Sequence, residues 1–124
     1  MNRAFVSLLA NDVEKRATFY EHLLGMTRHA DFGWFVILTH MDMPGHELGI
    51  LDQTHSTVPR AASRAPGGVL MTFVVEDVAL AHAKAKTMGA EIIEAPRDLP
   101  YGQRRLLLSD PEGALVDVSS PIPT

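Results

Sequence analysis

The sequence predicts an α+β fold assembled from two copies of one βαβββ module. An apolar strand followed by an amphipathic helix occurs twice along the 124 residues. Three further strand candidates follow each helix, and a stretch of Ser, Thr, Pro and Ala without periodicity separates the copies. Two such modules placed edge to edge would form a curved mixed sheet, with helices on its outer face and a concave inner face for a ligand. The predicted boundaries are residues 1–52 for the first module, 53–67 for the linker and 68–124 for the second module.

The first module opens with the apolar run of residues 4–10, which predicts a strand. Asp12 is a suitable N-cap for the helix that follows, and Gly25 is a suitable end because glycine accepts positive φ. Apolar residues recur at helical spacing between them. The sequence Met43-Pro44-Gly45-His46 predicts a turn, since Pro and Gly favour the central positions of turns. The three strands predicted after the helix are residues 26–31, 33–40 and 47–51.

The second module repeats this order. Residues 68–75 form a β-branched, apolar run that predicts a strand, and Asp77 and Gly89 bound the second helix. Asp110-Pro111-Glu112-Gly113 predicts the turn of the closing hairpin. The remaining predicted strands are residues 90–95, 104–109 and 115–119.

Composition excludes several classes of function. The net charge of −4 argues against nucleic acid or an anionic membrane as the main partner. The absence of cysteine excludes disulfides, thiolate nucleophiles and cysteine-ligated metals. The N-terminal residues lack the uninterrupted apolar stretch of a signal peptide or membrane span, so a cytoplasmic location is expected. With 46% hydrophobic residues in a short chain, we also expect a homodimer to cover apolar surface.

Two segments carry a family resemblance. Residues 5–12 with 19–26 resemble the opening of vicinal oxygen chelate proteins, the superfamily that holds glyoxalase I, bleomycin-resistance proteins, fosfomycin-resistance enzymes and extradiol dioxygenases. Residues 101–105 with 110–117 resemble the closing hairpin of that superfamily. The resemblance implies the glyoxalase/bleomycin-resistance-like fold over nearly the whole chain. It leaves the chemistry open, because one fold hosts many functions.

In metal-dependent members of this superfamily, four strands each supply one metal ligand. The resemblance matches those positions to Phe5, Glu47, Leu70 and Asp117. Phe5 stands where His or Gln is usual and Leu70 where His is usual, and neither side chain has a lone pair to donate. Two carboxylates alone would hold zinc, nickel or iron weakly. The sequence therefore predicts that the chelate site is lost, with no metal and no cofactor.

The remaining candidates are aromatic, basic and acidic side chains near the predicted inner face. Trp34 and Tyr101 border the predicted cleft, where aromatic rings would hold a flat ligand or pack into a core or dimer interface. Arg104 and Arg105 are consecutive on a strand, so one of them should face inward and recognise a carboxylate or phosphate, or pair with an acidic residue. The predicted ligand-binding residues are Phe5, Trp34, Glu47, Leu70, Tyr101, Arg104 and Asp117.

The sequence leaves two roles open for the acidic candidates, one functional and one structural. Glu47 and Asp117 would either contact a ligand, with one as a general base, or face solvent or an arginine. His40, Asp42, His46 and Glu47 surround the predicted turn, where they would form a local metal site or simply a solvated hairpin tip.

The predicted function is metal-independent binding of an apolar or aromatic small molecule, of the bleomycin-resistance-like type. The alternatives are a glyoxalase- or dioxygenase-like metalloenzyme with a reduced metal site, and a metal-free lyase or isomerase. The expected partners are a small organic molecule and a second copy of the chain.

Overall fold

The computed structural model describes residues 1–62 and 67–123. The chain divides into two compact units, Met1–Ala65 and Pro66–Thr124. Within the described residues, each unit contains one α-helix and one four-stranded mixed sheet in the order βαβββ. The predicted pair of βαβββ modules is therefore confirmed. Within the predicted linker, residues 63–66 lie outside the described residues.

The first unit is a mixed sheet with the strand order β1-β4-β3-β2. Strand β1 runs parallel to β4, and the other neighbours are antiparallel. The elements are β1 (Phe5–Ala10), α1 (Val13–Leu24), β2 (Thr27–Asp31), β3 (Phe35–His40) and β4 (Met43–Asp52), followed by a short 3₁₀ turn at Arg60–Ala62.

Helix α1 begins and ends where the sequence predicts. The Asp12 carboxylate accepts a hydrogen bond from the Lys15 backbone N–H at 3.0 Å, and Gly25 ends the helix at φ 72°. The helix buries one face against β3 and β4. The buried apolar residues of this unit are Leu8, Ala10, Val13, Ala17, Phe19, Tyr20, Leu23, Val36, Ile37, Leu38, Leu48 and Ile50.

The predicted turn at Met43–His46 is wrong, because these residues belong to β4. The chain reverses at Met41 and Asp42 instead, where His40 pairs with Met43 and its Nδ1 accepts a hydrogen bond from the Asp42 backbone N–H. Pro44 is tolerated for two reasons. The β3–β4 ladder is irregular there, and the pairing of β1 with β4 begins only at Glu47. A Pro-Gly pair thus marks an irregular strand segment here and not the hairpin tip.

The second unit repeats the arrangement with the strand order β5-β8-β7-β6. Asp77 caps its helix by accepting from the Ala79 backbone N–H at 2.9 Å, and Gly89 follows the C-cap residue at φ 70°. The elements are β5 (Met71–Val74), α2 (Val78–Thr87), β6 (Glu91–Asp98), β7 (Gln103–Ser109) and β8 (Leu115–Pro121).

Three strands in this unit differ from the predictions by more than one residue. Strand β5 covers only Met71–Val74 of the predicted residues 68–75, since its pairing with β8 starts at Met71. Strand β6 continues through Pro96 to Asp98, which is possible because β6 is an edge strand with register shifts around Glu94. Strand β8 likewise extends to Pro121, where an imino acid at the strand end removes no required ladder donor. Among the described residues, neither helix is long and apolar enough to cross a membrane.

Candidate functional site

In each unit the helix covers one sheet face, and the alternation of side chains decides which residues lie on the other face. In the first unit the helix side carries the buried residues Leu8, Val36, Leu38 and Ile50. Phe5, Ser7, Phe35, Glu47 and Gly49 lie on the opposite face, because they alternate with those residues along paired strands.

Two phenylalanine rings lie over a glycine on this face. The ring centroids of Phe5 and Phe35 are 6.3 Å apart. A Cβ atom added to Gly49 would lie 3.0 Å from the Phe35 ring, 3.3 Å from the Phe5 ring and 2.9 Å from the Ser7 hydroxyl oxygen. Gly49 therefore allows both rings to lie close to the sheet backbone. Phe5 remains 37% exposed.

The aromatic surface continues into the loops that flank β3 and β4. The Trp34 ring is 5.9 Å from the Phe35 ring and stacks on His55, with centroids 3.6 Å apart and planes within 6°. His55 is held by Thr57, whose hydroxyl lies 2.9 Å from the His55 Nδ1. We call Phe5, Trp34, Phe35 and His55 the aromatic cluster. Such offset and stacked rings provide an apolar surface of fixed geometry.

Arg3 occupies both oxygens of Glu47 at one end of this face. The Arg3 Nε and Nη2 donate to the carboxylate at 2.6 and 2.5 Å. The Glu47 side chain is only 9% exposed, and the Arg3 guanidinium also lies 4.9 Å from the Phe5 ring centroid. The hydrogen bond from Arg3 lowers the pKa of Glu47, because it stabilises the charged carboxylate. Glu47 is thus an ion-pair partner in this structure.

The face of the second sheet that is opposite α2 carries several polar side chains among apolar ones. Asp117 is 4% exposed and accepts a hydrogen bond from the Thr72 hydroxyl at 3.1 Å. Arg105 lies on the same face, two residues along β7 from Leu107, which pairs with Asp117, and its Nη2 is 3.5 Å from Glu94. Within the described residues, Asp117 Oδ1, Arg105 Nε and Gln103 Oε1 are buried without a hydrogen-bond partner. We call Gln103, Arg105 and Asp117 the polar group.

Three predicted site residues lie elsewhere. Leu70 precedes β5 and is 47% exposed, and Tyr101 lies in the loop before β7 at 65% exposure. Arg104 lies on the α2 side of its sheet, since its register partner Ser120 accepts a hydrogen bond from the first residue of α2. Its Nε donates to Asp98 at 2.6 Å. Of the two consecutive arginines, Arg105 is therefore the one on the face opposite the helix.

The four family ligand positions do not fit a chelated metal in this chain. Phe5 and Leu70 have no donor atom, and both oxygens of Glu47 are engaged by Arg3. His46 is exposed and belongs to the irregular segment of β4 that precedes Glu47. In the part of the chain that the structure describes, no three His, Asp or Glu side chains converge as metal ligands.

Several residues of these two surfaces were not predicted as site residues. His55 lies in the linker, and its stacking on Trp34 depends on how the chain turns after β4. Arg3 precedes the first strand, so its contact with Glu47 follows only from the parallel pairing of β1 and β4. The alternation of side chains along the strands could have identified Arg105 and Thr72, since both share a face with Asp117 once the strand register is known.

Comparison with solved structures supports this fold over almost the whole chain. A glyoxalase/bleomycin resistance protein/dioxygenase family enzyme from Burkholderia phytofirmans PsJN superposes with a TM-score of 0.81 at 18% identity, covering 95% of this chain and 97% of that one. TnmS3, an antibiotic binding protein from Streptomyces sp. CB03234, has a TM-score of 0.74 at 22% identity, with 98% and 96% covered. TioX from Micromonospora sp. ML1 has a TM-score of 0.71 at 21% identity, with 98% and 100% covered. At these identities the likeness concerns the fold.

Sequence comparison adds a partial relative and a family. The chain is 41% identical over 51 residues to "Putative glyoxylase CFP32" of Mycobacterium bovis, a match that covers 41% of this chain and only 20% of that protein. The family model of the Glyoxalase/Bleomycin resistance protein/Dioxygenase superfamily matches residues 3–118. The fold, the duplicated module and this match together show that the chain belongs to the Glyoxalase/Bleomycin resistance protein/Dioxygenase superfamily.

Proposed function

We propose that this protein binds an aromatic or apolar small molecule without a metal ion. The observation that carries the proposal is the aromatic cluster, in which Phe5 and Phe35 lie over Gly49 and Trp34 stacks on His55. Phe5 and Trp34 are each 37% exposed, so the rings offer surface that a flat ligand would cover. Covering apolar area contributes about 25 cal/mol per Å², and each ring–ring contact adds about 0.5–1.5 kcal/mol.

Metal independence rests on the donor atoms. Two of the four family ligand positions are hydrocarbon, and a third is neutralised by a two-point contact with Arg3. A metal would have to displace this guanidinium and would still lack the three protein ligands that catalytic sites usually have. The metalloenzyme alternative, with Glu47, Asp117 and His46, is therefore disfavoured.

The metal-free lyase or isomerase alternative requires a carboxylate base. Glu47 is the weaker candidate for that role, because the hydrogen bond from Arg3 lowers its pKa and makes it a poorer base at neutral pH. Binding without turnover needs no such group. The named function of one structural neighbour, antibiotic binding by TnmS3, is consistent with a binding role for this fold.

We also propose that the protein acts as a homodimer, as the sequence predicts. Val69, Val74 and Leu80 are each about 60% exposed, which leaves apolar side chains on the surface of a small chain. A second copy would cover part of this surface.

The binding proposal is tested with 1-nitronaphthalene, an uncharged aromatic compound that quenches tryptophan fluorescence. Trp34 is the only tryptophan, so its emission reports directly on the aromatic cluster. We expect saturable quenching. The substitutions Phe5→Ala and Phe35→Ala should each weaken binding about tenfold, because each removes a ring contact and apolar area.

Val6→Ala is the matched control. Val6 neighbours Phe5 on β1 but points to the other sheet face, and it is exposed. We expect its dissociation constant to stay within about twofold of wild type, since no cluster contact is lost. Quenching that never saturates, or equal affinities for all three variants, would remove the proposed function.

A further inference from the structure

Three buried polar atoms on one sheet face lack partners among the described residues. They are Asp117 Oδ1, Arg105 Nε and Gln103 Oε1, and they come from the adjacent strands β7 and β8. Asp117 is only 4% exposed, and the Thr72 hydroxyl donates a hydrogen bond only to its other carboxylate oxygen, Oδ2. Such atoms are uncommon in folded proteins, because each costs about 1–3 kcal/mol when left without a hydrogen bond.

Two of these atoms have opposite hydrogen-bonding needs. Asp117 Oδ1 needs a hydrogen-bond donor, whereas the Arg105 Nε–H needs an acceptor. Arg105 pairs by register with Ser119, and Asp117 pairs with Leu107, so the two residues are diagonal neighbours on one face. Both atoms have almost no accessible surface in this structure, so a ligand would reach them only after the side chains that cover them turn aside. A ligand that presents a donor beside an acceptor would then satisfy both atoms.

The surrounding charges argue against an anionic ligand. Arg105 already lies 3.5 Å from the Glu94 carboxylate, and Asp117 is the next acidic group on the same face. A ligand carboxylate would gain one arginine but would face two carboxylates in a buried setting, where like charges are costly. The positive charge of Arg104 does not offset this repulsion, because Arg104 is paired with Asp98 on the opposite face.

We infer that the polar group recognises a neutral group in which N–H and C=O stand side by side, as in a carboxamide or lactam, in preference to a carboxylate. This inference rests on the proposed small-molecule binding and names, for the second unit by itself, the chemical class of group that its polar group would recognise. It assigns Asp117 the role of acceptor and Arg105 the role of donor.

The first test compares two probes on the wild-type protein. Naphthalene-2-carboxamide and naphthalene-2-carboxylate share one ring system and differ only in the polar group. Their binding is followed by the amide NMR signals of β7 and β8. We expect the carboxamide to bind at least about tenfold more tightly, a ratio that one buried hydrogen bond of about 1.4 kcal/mol supplies.

The second test inverts the preference. In Asp117→Asn the amide oxygen can keep the bond from Thr72, which leaves an N–H donor where Oδ1 was. The affinity of this variant for the carboxamide should be about tenfold lower than that of the wild type. The carboxylate should bind to it at least as tightly as the carboxamide. Arg105→Met should weaken the carboxamide about tenfold. Arg104→Met is the matched control on the other face and should change its affinity less than about twofold.

The outcomes separate this inference from the proposed function. Equal binding of the two probes to wild type, or equal effects of Arg105→Met and Arg104→Met, overturns the inference while small-molecule binding stands. A failure of 1-nitronaphthalene and of both naphthalene probes to bind overturns the proposed function and this inference together. The wild-type comparison decides the question even if Asp117→Asn does not fold.

Discussion

At the scale of single residues, Gly49 has a packing role that no local pattern indicates. It lies in the interior of β4, where glycine normally weakens a strand. The Ser7 hydroxyl and two phenylalanine rings occupy the space that a side chain would need. The glycine therefore lets the aromatic cluster pack against the sheet backbone.

Gly49→Ala should destabilise the protein by about 1–3 kcal/mol, because the new methyl group overlaps three neighbours and forces the rings outward. Chemical denaturation measures this change in the free energy of unfolding. Gly45→Ala is the matched control on the same strand, where a Cβ would meet nothing within 4 Å, and it should change stability by less than about 0.5 kcal/mol. Equal effects of both substitutions would contradict the packing role of Gly49.

Arg3 determines the protonation behaviour of Glu47. Arg3→Met should raise the pKa of Glu47 toward its ordinary value of 4.5, because the stabilising hydrogen bond to the carboxylate is lost. A carbon-detected NMR titration of the side chain measures the change. Arg97→Met, which alters an ion pair with Glu94 in the other unit, should leave the Glu47 titration unchanged. A Glu47 pKa that does not move in Arg3→Met would contradict this assignment.

At the scale of elements, one arginine ties the first helix to the neighbouring strand. Arg28 on β2 contacts Glu14 and Glu21 of α1 and Asp31 of β2, at 2.8–2.9 Å for the closest atoms. The hydrogen bond from Arg28 lowers the pKa of Glu14. The pKa of Asp31 is lowered first by the Gly33 backbone N–H and then by Arg28. The three carboxylates share one guanidinium, so the cluster acts as a network.

This network should make stability depend on pH in acid. Because the folded pKa values of Glu14 and Asp31 lie below their ordinary values of 4.5 and 3.8, the stabilisation is fully present above those values. It is lost as the pH falls through the lower, folded pKa values. Arg28→Met should therefore lower the free energy of unfolding by about 1 kcal/mol at pH 7 and by almost nothing in strong acid. Urea denaturation at both pH values measures the change.

The control for this prediction is again Arg97→Met. Arg97 is 59% exposed at its side chain and makes one ion pair, so its loss should cost less than about 0.5 kcal/mol at either pH. If Arg28→Met destabilises the protein equally at neutral and acid pH, packing rather than ion pairing explains the effect.

At the scale of the whole molecule, the proposals concern assembly and metal content. Native mass spectrometry of the purified protein should give twice the chain mass of 13.6 kDa, because a second copy would cover exposed apolar side chains. It should also show no stoichiometric divalent metal after buffer exchange, since two ligand positions lack donor atoms. A chain-sized species would contradict the dimer, and one tightly retained metal per chain would contradict metal independence.

Most of the fold could be predicted from local chemistry. Asp12, Gly25 and Asp77 mark helix ends because capping depends on a few neighbouring backbone groups. The Pro44-Gly45 turn was wrong for a related reason. The same dipeptide suits a turn or an irregular strand, and only the pairing of β3 with β4 chooses between them.

The sequence by itself determined the two βαβββ modules, because periodicity and capping are local properties. It also has Phe5 and Leu70, which lack donor atoms, at two positions that the resemblance matches to metal ligands. Only the tertiary structure decided which groups meet. The parallel pairing of β1 and β4 brings Arg3 to Glu47, and the register of β7 and β8 places Arg105 beside Asp117. Arg3 and Glu47 are 44 residues apart in the chain, and a shift of one residue in either register would turn the side chains to the other face.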